Sequence, residues 1–248
     1  VQSTMSSPDN NALVLFGQRR IGKTSILLQL QRRLPSPPFI PIYFDLMDRA
    51  QHPLGVLLSN LAGTIGAAVD MPPETPAAYD NEGVFFRTDF LPRLQGVLDG
   101  RRPILLLDEF DVFDVRDDRE LPEAAAARSF FPYLRQLMET QPWLAFVFVL
   151  GRKTEEMSID VKATFKTARY KYVSVLARDD AKDLVLTAQR DETLRFEDAA
   201  VEEILAVTAG HPYFTQLLCQ ILWDAAHVDR EYDGAPVISP DAVTQAVS

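Results

Sequence analysis

The chain has 248 residues, 47% of them hydrophobic and 24% charged, with 17 Pro, 11 Gly and a formal net charge of −10. This globular balance excludes collagen-like, low-complexity and largely disordered chains, and the acid excess argues against sequence-independent capture of nucleic acid. The single Cys219 and the scattered His52, His211 and His227 exclude a disulfide framework and leave no cysteine- or histidine-rich metal site.

The longest apolar run, Trp143 to Leu150, is far shorter than the roughly 18–20 residues of a membrane span, and no signal-peptide pattern precedes it. A cytoplasmic protein that makes no use of a membrane is expected. The sequence begins without Met and stops inside an amphipathic pattern at Pro240-Asp241-Ala242-Val243. It is therefore expected to belong to a longer polypeptide whose further domains are its partners.

The first predicted strand, Ala12–Phe16, runs straight into Gly17-Gln18-Arg19-Arg20-Ile21-Gly22-Lys23-Thr24. This is the Gly-x-x-x-x-Gly-Lys-Thr pattern of a phosphate-binding loop. Its glycines let successive backbone N–H groups converge on an anion, and the following helix, marked by Ile26, Leu27, Leu30 and Leu34, points its positive end at the same place. The expected nucleotide contacts are Gly17, Gln18, Arg19, Arg20, Ile21, Gly22, Lys23, Thr24 and Ser25. Lys23 reaches the β- and γ-phosphates and the Thr24 hydroxyl ligates Mg²⁺.

After a break at Pro35–Pro38 comes a second strand, Phe39–Phe44, and then apolar residues at helical spacing, Leu54, Leu57, Leu58, Leu61 and Ile65. A further break at Pro72–Pro76 precedes another helical pattern, Phe86, Phe90, Leu94 and Leu98. Ile104–Leu107 then reads as a strand buried on both faces, ending in Asp108-Glu109. Carboxylates at the carboxyl end of a parallel strand lie where open α/β sheets bind ligands. Asp108 is expected to hold Mg²⁺ through its water shell and Glu109 to polarise the attacking water. Asp111 and Asp114 are expected in a solvated loop.

Phe131, Leu134, Leu137 and Met138 mark the next helix and Leu144–Leu150 the next strand, followed by Gly151-Arg152. In a sheet ordered 5-1-4-3-2 this strand lies between the first strand and that of Asp108, which would set Arg152 beside the γ-phosphate as a reporter of ATP against ADP. Lys153 is expected in solvent. A weaker strand, Tyr172–Leu176, completes five. Three helical segments follow with no further strand: Asp180–Gln189, Glu197–Thr208 and Pro212–Ala226. The fold class is thus α/β, a P-loop NTPase of the additional-strand type with a five-stranded parallel sheet and a small C-terminal helical lid. The expected division is 1–176 and 177–248. The absence of an Asn/Thr-Lys-x-Asp guanine reader favours adenine, hence ATP and ADP with Mg²⁺.

The run Ala209-Gly210-His211-Pro212-Tyr213-Phe214-Thr215-Gln216-Leu217-Leu218-Cys219 makes the likeness more specific. With the loop at 17–24 and Asp108-Glu109, the chain resembles a STAND-class P-loop ATPase. It is most similar to the archaeal-ATPase and prokaryotic STAND branches related to NLR-type receptors, over nearly its whole length. The resemblance implies a slowly hydrolysing, AAA-like signal-transduction switch whose nucleotide state controls self-association or effector release. It also implies that Gly210 and Pro212 border the nucleotide; His211 reads as a capped or adenine-adjacent histidine and not as a catalytic base. Cys219 reads as packing on an apolar helix face.

An upstream adenine-contacting segment, a winged helix and a sensor or effector domain of that class are not found within these 248 residues, as expected of a segment of a longer chain. Arg128 and Arg135, on the helix after Asp108, read as a solvated or salt-bridged face in preference to an arginine finger supplied in trans. Two other readings stay open: a non-hydrolysing scaffold that holds ADP or ATP, and a DNA-associated ATPase, although the charge argues against nucleic acid as a partner of this segment.

Overall fold

The computed structural model describes residues 11–115, 121–151, 157–228 and 234–248. The chain divides into two compact units. The first takes the N-terminal segment through Gly17 and then Lys23–Tyr172, and the second takes Gln18–Gly22 and Val173–Ser248.

The first unit is built on five parallel strands: β1 (Ala12–Phe16), β2 (Phe39–Asp45), β3 (Arg102–Asp108), β4 (Ala145–Leu150) and β5 (Arg169–Tyr172). Their spatial order is β2-β3-β4-β1-β5, and β1 pairs with both β4 and β5. Read from the other edge this is the expected 5-1-4-3-2. The three central strands are buried almost throughout, which is why each reads as an unbroken apolar run. Edge strand β2 instead alternates: Ile42 and Phe44 are buried while Tyr43 is only half-buried.

The helices of this unit are α1 (Lys23–Arg33), α2 (Leu54–Ala68), α3 (Leu91–Val97), α4 (Ala126–Thr140) and α5 (Ile159–Thr164). A π-helical turn, Phe86–Phe90, leads into α3. Arg32 and Arg33 end α1, where cations complement the negative end of the helix. Leu57, Leu58, Leu61 and Ile65 of α2 join the central core. An aromatic cluster closes that core beneath the end of β3. Phe110, fully buried, lies 4.9 Å from Phe148, 5.4 Å from Phe131 and 5.4 Å from Phe165, ring centre to ring centre.

Three expectations are corrected here. The fifth strand is Arg169–Tyr172 and not Tyr172–Leu176. It is an exposed edge strand with no apolar run, whereas Val173 onward belongs to the second unit. Asp114 is buried and accepts a hydrogen bond from the Ser158 backbone N–H at 3.4 Å, so it does not sit in a solvated loop. The C-terminal region also holds two further short strands, β6 (Arg195–Phe196) and β7 (Val237–Ile238), which pair in parallel.

The second unit is otherwise helical: α6 (Arg178–Val185), α7 (Thr187–Arg190), α8 (Asp198–Thr208), α9 (Pro212–His227) and α10 (Pro240–Val247). Its core gathers Ala181, Val185, Ile204, Leu205, Leu218, Leu222 and Val243. Thr215, fully buried, donates to the Thr208 hydroxyl at 3.1 Å and ties α9 to α8. Cys219 packs against this core, and burial pushes its thiol up to about 11. Among the described residues no helix is long and apolar enough to cross a membrane.

Candidate functional site

In the first unit, the strand–loop–helix passage from β1 to α1 puts Gly17, Lys23 and Thr24 at the carboxyl end of β1. Lys23 is buried, and its Nζ donates to the Gly17 carbonyl at 3.0 Å, so the side chain folds back along the loop. Thr24 and Ser25 open the first turn of α1 and are exposed.

Asp108 ends β3 on the same rim, because all five strands are parallel and only β4 separates β1 from β3. Two strand spacings make about 9–10 Å. Phe16 pairs with Leu150 and Leu107 with Phe148, so Gly17 lies two residues farther along, roughly 7 Å at strand rise.

The Asp108 carboxylate is 2% exposed and is held on both oxygens. Oδ1 accepts the Glu109 backbone N–H at 3.0 Å and Oδ2 accepts the Tyr43 hydroxyl at 3.1 Å. Burial raises the Tyr43 phenol above its ordinary range, and the adjacent Asp108 carboxylate adds to the effect. Glu109 has φ 50°, a left-handed backbone that turns the chain sharply out of the strand. The buried Phe110 then anchors that turn from below.

Asp111 follows in a short 3₁₀ turn, Phe110–Phe113, with Oδ1 buried and without a hydrogen bond. A Cβ at Gly151 would come 2.9 Å from Asp111 Oδ2, so a side chain there would make that carboxylate shift. Arg152, the expected γ-phosphate reporter, and Lys153 lie outside the described residues.

The oxygen donors on this rim, the Thr24 hydroxyl and the buried Asp108 carboxylate, are of the kind a hard, hydrated Mg²⁺ accepts. Among the described residues no cluster of three or more His, Cys, Asp or Glu side chains is arranged to hold a metal by itself.

The second unit contains the rest of the loop and the Gly210-His211-Pro212 turn. Arg20 (φ 60°) and Gly22 (φ 92°) both adopt positive φ, and alternation of this kind turns consecutive N–H groups toward one side. Arg19 and Arg20 are exposed and Ile21 is buried. The Arg20 guanidinium carbon sits 4.4 Å from the centre of the Tyr213 ring. A Cβ at Gly22 would be 3.9 Å from Pro212 Cγ, an ordinary van der Waals distance.

Ala209 (φ 48°) and Gly210 (φ 72°) terminate α8, and Pro212 opens α9 after His211. The Gly210 carbonyl accepts the Leu176 N–H at 2.9 Å. The His211 Nδ1 is buried without a hydrogen-bond partner.

Two contacts escaped the sequence reading, Tyr43 on Asp108 and Arg20 on Tyr213. Strand alternation puts Tyr43 on the face opposite Ile42 and Phe44, but only the β2–β3 register says which residue it meets. Nothing in the sequence signals the second contact.

No family model and no curated protein matches the chain. Its fold does match solved structures. The Walker-type ATPase PABY2304 of Pyrococcus abyssi superposes with a TM-score of 0.65 at 15% identity, covering 90% of this chain and 65% of that one. The Aeropyrum pernix ORC1 protein, solved in complex with DNA, gives 0.63 at 17% identity over 96% and 59%. The Thermotoga maritima RuvB Holliday junction branch migration motor gives 0.53 at 15% over 96% and 61%. The chain spans about three fifths of the length of these solved chains. The chain has a P-loop NTPase fold, with a C-terminal helical region.

Proposed function

We propose that the chain binds ATP with Mg²⁺ at the rim where β1 and β3 end, hydrolyses it slowly, and acts as a nucleotide-dependent switch of the STAND kind. The observation that carries this reading is the juxtaposition within the first unit. Gly17, Lys23 and Thr24 share one rim with a buried, doubly held Asp108, and β4 alone intervenes. The separation on that rim suits a polyphosphate and a hydrated cation.

Loop N–H groups meet the phosphate charge. Lys23 exchanges a neutral acceptor, the Gly17 carbonyl, for a phosphate oxygen, and a charge-assisted bond is the stronger of the two. Thr24 and Asp108 hold Mg²⁺, which when bound neutralises charge on the phosphate oxygens. Glu109, directed out of the strand by its left-handed backbone, orients the attacking water and takes its proton as the β–γ bridging bond breaks, giving ADP and phosphate. Arg152 remains the expected reporter of the γ-phosphate.

The switch output is carried by the loop at Arg20 and Gly22: within the second unit Arg20 stacks on Tyr213, and Pro212 lies beside the space above Gly22. A ligand shifts an equilibrium only through contacts that differ between its two forms, and Arg20 and Gly22 belong to the loop that the phosphates would occupy. Self-association in the ATP state or release of a further domain would follow. The Pyrococcus protein is a Walker-type ATPase, in keeping with the proposed activity.

The test is direct. Nucleotide extracted from the purified protein should be ATP or ADP, and Lys23→Ala should weaken ATP binding at least tenfold. Guanine nucleotide in the extract would overturn the adenine assignment. An unchanged affinity in Lys23→Ala would overturn the site.

A further inference from the structure

Asp108 needs a reason for standing still. An aspartate at a strand end has two rotatable bonds, and here a like charge stands directly across: Asp45 of β2 is the register partner of Asp108. Carboxylates opposite each other on one face repel. Asp45 is exposed, and its Oδ1 accepts the Met47 N–H at 2.9 Å, so it caps its own turn. Asp108 is buried.

Tyr43 lies two residues upstream of Asp45 and therefore on the same face of β2, on the diagonal from Asp108. An aromatic side chain can span such a diagonal, and the phenol does so to reach Oδ2 at 3.1 Å. The Glu109 N–H takes Oδ1. One donor on each oxygen fixes the plane of the carboxylate, and the remaining lone pairs are then aimed by the backbone of β3 and the ring of β2 together.

We infer that Tyr43 is a positioning residue for the divalent cation, holding the Asp108 carboxylate in the single orientation from which it can receive hydrated Mg²⁺. The inference rests on the nucleotide-binding reading above. Mg²⁺ demands near-ideal octahedral geometry, so a carboxylate free to swing costs it affinity. Partners that orient a ligand typically contribute 10–100-fold in metal affinity when removed. The role is distinct from packing, because phenylalanine would fill the same space without the hydroxyl.

The experiment is Mg²⁺ titration of ATP binding by the intact chain, followed with a fluorescent ATP analogue, in wild type and Tyr43→Phe, alongside binding in EDTA and the thermal midpoint of each protein. The expected result is a Mg²⁺ half-saturation raised about tenfold in Tyr43→Phe, with metal-free affinity unchanged and the midpoint lowered only by the few degrees that one lost hydrogen bond costs. An unaltered Mg²⁺ dependence overturns the inference and leaves the nucleotide site standing. So does an equal loss of affinity with and without Mg²⁺, which would mark Tyr43 as structural. Failure of the wild type to bind the analogue at all would overturn the nucleotide reading and this inference with it.

Discussion

Arg20 stacks its guanidinium on the face of Tyr213, the second residue of α9, from a backbone conformation (φ 60°) that side-chain-bearing residues seldom adopt. The stack tethers the middle of the loop to the start of a helix in its own unit. It also holds a strained residue in place. A cation–π contact at an exposed site is worth about 0.5–1 kcal/mol, and a left-handed residue with a Cβ costs roughly 1–2 kcal/mol. Arg20→Ala should therefore lose the contact and keep the strain, lowering stability by under about 1 kcal/mol. Arg20→Gly should lose the contact and release the strain, and so be neutral or stabilising. Urea unfolding of both variants, together with Tyr213→Ala and the double variant, measures this. In the Arg20→Ala, Tyr213→Ala cycle the two losses should not add.

Gly210 and Gly100 have nearly the same backbone, φ 72° and 75°, in different surroundings. A Cβ at Gly100 meets nothing within 4 Å, whereas one at Gly210 would lie 2.8 Å from the Leu176 carbonyl oxygen. Gly100→Ala should cost only the backbone term, about 1 kcal/mol. Gly210→Ala must also push back the Leu176 carbonyl, which sits on the peptide whose neighbouring N–H the Gly210 carbonyl accepts, and should cost about 1–3 kcal/mol more. Chemical denaturation of the two variants side by side gives the difference. Equal losses would mean that the turn before α9 relaxes freely.

Glu109→Gln keeps the size of the side chain and removes its basicity. If Glu109 takes the proton of the attacking water, single-turnover hydrolysis should fall by on the order of 10²–10⁴, while ATP stays bound and can be recovered intact. A variant that loses ATP binding in proportion to turnover would assign Glu109 to binding instead. A wild type with no turnover to lose would favour the ADP- or ATP-holding scaffold.

The turn before the π-helical segment depends on Asp80. Its Oδ1 accepts the Glu82 and Val84 N–H groups and its Oδ2 the Phe85 N–H, at 2.9–3.0 Å. Partial burial alone would raise this carboxyl, but the bonds from Phe85, Val84 and Glu82 outweigh it and hold the group below the usual carboxylate range. A carboxyl depressed by folding contributes stability that is fully present above its unfolded value, near 3.9, and is lost as pH falls through the lower folded value. Asp80→Ala should cost about 1 kcal/mol at neutral pH, and its deficit against wild type should shrink as pH falls below about 4. Thermal midpoints of the two proteins across that range provide the check.

Much of this protein is readable residue by residue. The loop from Gly17 to Thr24 declares itself because curling a backbone around phosphate requires particular residue types at fixed spacing, and β1, β3 and β4 do so because strands buried on both faces must be apolar throughout. The 5-1-4-3-2 order followed from the additional-strand type that the loop and the Asp108-Glu109 pair indicate, because alternating strands and helices alone leave the order open. What escaped are features with no local signature. Strand β5, Arg169-Tyr170-Lys171-Tyr172, is an exposed edge and carries no apolar run, while the more apolar stretch after it leaves the sheet to place Leu176 against Gly210. The β6–β7 pair joins two-residue segments far apart in the chain.

The same division holds at the site. Composition and spacing were enough to nominate Lys23, Thr24, Asp108 and Glu109, because the chemistry of phosphate and a hard cation restricts which side chains can serve. That Asp108 is gripped by Tyr43, and Arg20 by Tyr213, was decided only by strand register and helix placement. A hydrogen bond or a ring stack needs two groups at one point in space, and residues 65 positions apart along the chain reach that point only once the sheet has formed.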